Sequence, residues 1–295
     1  MYITLNKEAD SSVWFGEQVI TEPSKEAIAL NELYKGNIAT DKLIALDIFI
    51  ANLKRENLWD KIKVLFVPSL FVGDTSSIKN AFIDVKKTYG QSSLIFGEGS
   101  ENLTETDYSF TKDGLTRKTS TIYTNVGTGV KISSDGFSSL DCHFLAYKIK
   151  GNLVVEDNKN SFLLYGNFNL PAFSISVNPN NLLRAKSSAC YEGAMSSSNV
   201  DFNSEKAIYG GGFTGYDESN NTAIGYTINN LEIEYNRKVV TNISNINVSQ
   251  STALIGLPST YGLFSFGTSL SKEDATIYSK LIRSFMEKLL DSNSE

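Results

Sequence analysis

Two pairs of residues have types and spacing that catalysis can use. Glu232 and Glu234 stand two apart in a strand-like run, which puts both carboxyls on one face about 6.5 Å apart. Retaining glycosidases work with two carboxyls about 5 to 5.5 Å apart, one as nucleophile and one as acid/base. The next residue on that face, Asn236, is an amide and cannot donate a proton as a general acid. That departure counts against hydrolysis, and a solvated strand face accounts for the two acids without it. The second pair is Cys142 and His143, the latter the sole histidine. A thiol beside an imidazole suggests nucleophilic catalysis. Neighbours on a strand face opposite sides, however, so the expectation is one residue inward, one outward and no dyad. A single histidine also excludes His-rich metal sites.

The most site-like stretch is Gly210-Gly211-Gly212-Phe213-Thr214-Gly215-Tyr216-Asp217-Glu218-Ser219-Asn220-Asn221, read here as a loop. Its glycines would let backbone approach a ligand, Tyr216 offers a flat face for a sugar ring, and Asp217, Asn220 and Asn221 offer hydrogen bonds. A plain hairpin turn explains the same composition. The stretch lacks the spacing and the Lys-Ser or Lys-Thr pair of a phosphate loop. Asp217, Glu218 and Asn220 could ligate calcium, but the regular EF-hand spacing is missing. Glu156-Asp157-Asn158-Lys159-Asn160 reads as a turn between strands. The expectation is no catalytic residue, no cofactor and no metal. Trp14 and Phe15, aromatic in a polar context, are the candidate assembly anchors.

These residues need a scaffold, and composition allows one. The 295 residues are 41% hydrophobic and 20% charged, enough for a full core. The net charge is −6 and the 27 Lys and Arg are scattered, which argues against a general nucleic-acid binder. Cys142 and Cys190 are too few for a disulfide framework or a zinc site of closely spaced ligands. No apolar run approaches the roughly 18 residues of a membrane span, and Met1 to Asp10 lacks a signal-peptide pattern.

From Val64 to Phe266 short runs rich in Val, Ile, Phe, Tyr and Thr alternate with Gly, Asn, Asp and Ser clusters, as in an antiparallel sandwich. Helical periodicity lies outside this block. Ser24 can cap a short helix stopped by Gly36. A stronger helical pattern opens at Thr40 or Asp41, and its apolar character extends through Leu58, Trp59 and Ile62 to Lys63. Ser271 and Asp274 have the relation of a capping box before the stripe Ile277, Tyr278, Leu281, Ile282, Phe285, Met286, Leu289 and Leu290. The period of that stripe suits a lid on the protein's own sheet better than a coiled-coil partner surface. The best boundary falls near Thr40, giving an N-terminal arm, 1–40, and a body, 41–295.

Two phrases together resemble a known family. One is Ala45-Leu46-Asp47-Ile48-Phe49-Ile50-Ala51-Asn52-Leu53-Lys54 with Leu58-Trp59-Asp60-Lys61-Ile62; the other is Leu263-Phe264-Ser265-Phe266-Gly267-Thr268-Ser269-Leu270-Ser271-Lys272-Glu273-Asp274 with Tyr278 and Phe285. They resemble the opening and closing of concanavalin A-like (laminin-G-like) domains of bacteriophage virion structural proteins, of tail or head fibre type. Leu231 to Lys238 and Ala253 to Leu257 are similar to strands of that family. The resemblance implies an all-β dominated jelly-roll sandwich with N-terminal helices and one C-terminal amphipathic helix packed on it. It implies a non-enzymatic virion component, made in the bacterial cytoplasm and attached to other virion proteins through its arm. A homo-oligomer and a host-surface glycan as ligand are further expectations, with no nucleic acid and no membrane insertion. The competing reading is a glycan-degrading enzyme on the same sandwich, using Glu232 and Glu234.

Overall fold

A computed structural model describes residues 21–71, 77–98, 100, 103–106, 108–111, 113–118, 130–132, 141–151, 161–165, 173–177, 183–187, 195–196, 204–217, 219–220, 222–239, 251–255 and 259–291. The chain begins with helices α1 (Lys25–Leu33) and α2 (Thr40–Arg55), followed by strand β1 (Ile62–Phe66) and a one-turn helix α3 (Val85–Thr88). Strands β2 (Tyr108–Thr111), β3 (Gly114–Arg117), β4 (Val130–Ile132), β5 (Asp141–Lys150), β6 (Ser161–Tyr165), β7 (Phe173–Val177), β8 (Leu183–Ser187) and β9 (Met195–Ser196) come next. Then come β10 (Ala207–Asp217), β11 (Thr222–Asn229), β12 (Glu232–Val239), β13 (Ser251–Ile255), β14 (Thr260–Gly267) and the closing helix α4 (Lys272–Asp291).

The described strands form two antiparallel sheets. The larger has eight strands in the order β12-β11-β10-β5-β14-β3-β2, with β1 also paired to β14. The smaller runs β4-β13-β6-β7-β8-β9, and its β8 and β9 lie against β10 and β11. The architecture is the expected all-β dominated, sandwich-like fold with its C-terminal helix. β14 sits at the centre of the larger sheet. It pairs with β5 along one side and with β3 and β1 along the other, and all eight of its residues are buried.

Strand alternation divides the larger sheet into two apolar faces. Leu145, Tyr147 and Ile149 of β5, Ile208 of β10, Tyr226 and Ile228 of β11 and Leu263 of β14 share one core with α1, α2 and α4. The alternate residues carry a second, aromatic set. Phe144 lies 4.9 Å from Phe266, Phe66 lies 6.3 Å from Phe266, and Phe66 meets Phe82 edge-on at 5.5 Å.

α4 starts as its sequence dictates. Asp274 N–H donates to Ser271 Oγ at 3.1 Å, and the Asp274 carboxylate accepts from Ser271 N–H and Oγ at 3.0 and 2.6 Å. Burial pushes the Asp274 carboxyl up, but the Lys61 ammonium, 2.6 Å away, and the Ser271 donors outweigh it and hold the carboxyl below its usual range. Tyr278, Leu281, Ile282, Phe285, Met286 and Leu289 are all buried, so α4 is a lid on the sheet. Thr40, the expected boundary, is the first residue of α2; α1 before it, with Tyr34 at its C-terminal cap, places Ala27, Leu30 and Tyr34 in the same core.

Two local expectations are corrected. The helical reading through Lys63 fails because α2 ends at Arg55. Asn57 adopts a left-handed φ of 57° and Leu58 N–H closes back on Leu53 O at 2.8 Å, so Leu58, Trp59 and Ile62 serve a 3₁₀ turn and β1 instead. Ser92 to Phe96, within the block read as strand-rich, forms no strand and contributes an isolated bridge from Phe96 to Ile83.

Candidate functional site

A buried chain of polar side chains lies under α4. Tyr278 O–H donates to Ser265 Oγ at 2.7 Å, and Ser265 Oγ lies 3.1 Å from His143 Nε2. His143 Nδ1 lies 2.6 Å from the carbonyl oxygen of Thr268. That carbonyl can only accept, so Nδ1 carries the proton, Nε2 accepts from Ser265, and the hydroxyl chain runs in one direction. Burial lowers the His143 pKa to about 4, against the raising effect of the Thr268 carbonyl, and the ring is neutral near pH 7.

A serine hydroxyl beside an imidazole, with a tyrosine hydroxyl next in the row, has the parts of a nucleophilic relay. Here Ser265 is 0% and His143 1% exposed, and no substrate atom could meet the serine while α4 is in place. The chain joins β5, β14 and α4 through polar groups that would be costly to bury unpaired. It is a buried polar lock between sheet and lid.

Cys142 and His143 do point to opposite faces of β5, but the expectation that one of them faces solvent is corrected: both are buried. β5 runs through the middle of the sheet with both faces covered, so alternation there separates two interiors. Burial, more than any other influence, pushes the Cys142 thiol well above its ordinary range, which leaves it unreactive.

Glu232 and Glu234 sit on β12, at the edge of the larger sheet, opposite Asn229 and Thr227 of β11. Glu232 is exposed and Glu234 half-buried, while Ile233 and Tyr235 between and beside them turn to the core. Tyr235 stacks on Tyr226 at 5.0 Å and donates to Leu270 O at 2.8 Å.

The reading of Gly210 to Asn221 as a loop is corrected. Gly210 to Asp217 belong to β10, which pairs with β5 as far as Thr214 and with β11 on both sides of a bulge between Phe213 and Tyr216. The glycines answer a close strand approach: a Cβ on Gly210 would stand 2.1 Å from Phe144 O, and one on Gly212 1.9 Å from Cys142 O. Only the tip is a turn. There Asp217 accepts from Ser219 N–H at 3.0 Å and from Asn220 Nδ2 at 2.7 Å, so these polar groups satisfy one another. Tyr216 lies on the β10 backbone opposite Ala223. Asn221, Glu218, Trp14 and Phe15 lie outside the described residues, as do Cys190 and the 156–160 cluster. The turn and Glu232 occupy opposite ends of the β10-β11-β12 meander, since Thr222 pairs with Val239 and Asn229 with Glu232. They do not form one site.

Two buried carboxyls escaped the sequence reading. Asp47 accepts from Ser24 N–H at 2.6 Å, from Ser24 Oγ at 2.7 Å and from the Tyr89 hydroxyl, tying α1 to α2. Asp84 caps α3 and accepts from Leu65 N–H at 3.1 Å. Burial raises its pKa to about 6, against the backbone donors and Lys87. The spacing of Asp84 to Lys87 is a local cap signal, but its partner in β1 is not visible from sequence. A shallow cleft of about 30 Å³ lies over the seam of α2 and α4, between Ile48, Phe49, Leu281, Ser284, Phe285 and Lys288; it has room for about one water. Among the described residues no group of three or more His, Cys, Asp or Glu could hold a metal ion, and no helix is long and apolar enough to cross a membrane.

No family model matches this chain, and neither does any curated protein. Its solved structural neighbours include Trypanosoma rangeli sialidase in complex with sialic acid, at 11% identity and a TM-score of 0.45, over 81% of this chain and 39% of that one. The Botulinum neurotoxin serotype D binding domain aligns at 10% identity and a TM-score of 0.42, over 76% of this chain and 52% of that one. The Ruminococcus gnavus IT-sialidase CBM40 bound to alpha2,3 sialyllactose aligns at 13% identity and a TM-score of 0.33, over 53% of this chain and 94% of that one. This chain thus spans about two fifths of the sialidase chain and about half of the neurotoxin domain chain. At such scores the likeness carries no argument about what this chain binds.

Proposed function

We propose that this chain is a non-enzymatic structural module of a bacteriophage virion, a fibre or decoration component of concanavalin A-like type that displays a glycan-binding surface for host attachment. In this reading its N-terminal arm attaches it to other virion proteins and the body assembles as a homo-oligomer. The resemblance of the opening helix and of the closing strand and helix to that family motivates the assignment. The observation that carries the non-catalytic part is the use made of the chemistry-bearing residues. Both nitrogens of His143 and the hydroxyls of Ser265 and Tyr278 are spent holding α4 to the sheet, and Cys142 is sealed in the interior. Glu232 and Glu234 lie on β12 at the edge of the larger sheet, the first exposed and the second half-buried.

The test is a glycan array probed with the full chain, followed by incubation of every bound polysaccharide and measurement of reducing ends. Retention without release of sugars is the expected result. Release that disappears in Glu232→Gln or Glu234→Gln would replace this reading with the hydrolytic one.

A further inference from the structure

The edge of a β-sheet presents a row of unpaired backbone donors and acceptors. A further strand adds to it unless the edge is short, bulged, broken by proline or charged against pairing. Among the described strands, β2, β4 and β9 end their sheet paths with four, three and two residues, too short to template much. The fourth end, β12, is different. It has eight residues, contains no proline and pairs with β11 residue for residue without a bulge. Its outer edge has no strand partner among the described residues.

Charge is the remaining protection, and it does not guard this edge against a copy of itself. The run Glu232-Ile233-Glu234-Tyr235-Asn236-Arg237-Lys238-Val239 carries its acids in the first half and its bases in the second. Two such strands laid parallel and in register set acid against acid and base against base, which is destabilising. Laid antiparallel, they set acid against base. Alternation narrows the register further. Ile233 and Tyr235 belong to the core on the side of α4, and only registers that oppose residues of the same parity keep that face continuous through both copies.

The register centred on Tyr235 meets this condition. It opposes Glu232 to Lys238, Glu234 to Asn236 and Leu231 to Val239. One step toward the N-terminus sets Glu234 against itself, and one step the other way carries Glu232 past the end of the strand. Leu231, at 41% exposure, is one of two exposed large hydrophobic residues among the described ones, and the Tyr235-centred register gives it an apolar neighbour.

We propose that a second copy of this chain docks on β12, strand against strand and antiparallel, so that the larger sheet continues through a two-fold axis at Tyr235. The proposal rests on the homo-oligomeric reading above and names its surface. The interface is isologous, so Glu232 of each copy faces Lys238 of the other. Within one copy these two residues stand about 20 Å apart along the strand, too far to act on each other in physiological salt.

The test is sedimentation equilibrium on the full-length protein and on Glu232→Lys, Lys238→Glu and the double variant Glu232→Lys/Lys238→Glu. Wild type should dimerise. Each single reversal makes both cross-strand pairs repulsive and should weaken the dimer about tenfold or more, while the double variant restores opposite charges and should return to within about threefold of wild type. A folding defect at either position would not be rescued in this way. A wild-type oligomer indifferent to all three variants, or single-variant losses that the double variant does not recover, would overturn the β12 interface and leave the homo-oligomeric reading standing. A wild-type protein that stays monomeric at the highest concentration reached would overturn both.

Discussion

The ring of Phe285 lies flat on the ring of Phe49, with centroids 4.3 Å apart and planes 2° from parallel. One belongs to the last helix and the other to the first long one, so this contact closes the two chain ends over one face of the larger sheet. Phe49→Ala should destabilise the fold by about 3 to 5 kcal/mol. A double-mutant cycle with Phe285→Ala should show a coupling of about 0.5 to 1.5 kcal/mol between the rings. Urea midpoints at constant slope read both, and strictly additive losses would show that the two helices do not depend on each other.

What could be read in advance was local. Ser271 and Asp274 announce the start of α4 within four residues, and the stripe from Tyr278 to Leu289 announces its buried face, because both signals depend on the chain's own period. Gly210 to Gly212 misled for the opposite reason. Glycine in isolation signals a turn, and the carbonyls of Phe144 and Cys142 that demand it lie nearly seventy residues away on β5. The burial of both Cys142 and His143 was hidden likewise, since alternation shows that two faces differ without showing that both are covered. The Ser265 hydroxyl as a link between His143 and Tyr278 needs three elements at once.

His143 sets the acid limb of stability. Its pKa is about 4 in the fold and about 6.5 in the unfolded chain, so acid protonates the unfolded state first. Its contribution is complete above pH 6.5 and is lost as pH falls through 4, amounting to roughly 3 kcal/mol. His143→Gln should flatten the stability profile across that window. Unchanged slopes in chemical denaturation at pH 4 and 6.5 would show that the lock does not control the acid response.

Asp84 acts with the opposite sign. Its pKa rises from 3.8, the value of an unburied aspartate, to about 6 in the fold. The contribution is therefore fully present below 3.8 and lost as pH rises through 6. Asp84→Asn keeps an oxygen for Leu65 N–H and removes a desolvated charge. It should raise the melting temperature at pH 7, by up to roughly 3 kcal/mol of stability, and lose that advantage below pH 4. A lower melting temperature at pH 7 would mean that the charge itself is needed.

Trp14→Ala with Phe15→Ala should abolish assembly into particles while leaving the circular dichroism and melt of the isolated protein intact, because aromatic anchors concentrate interface energy. Normal incorporation of the double variant would move the attachment role away from the arm.

The most direct measurement is cross-linking mass spectrometry on purified phage particles from the host that carries this gene. A virion module attached by its arm should appear at stoichiometric abundance, with cross-links from Lys7, Lys25 or Lys35 to a different virion protein. Recovery only in the particle-free lysate, or particles without this chain, would contradict the account.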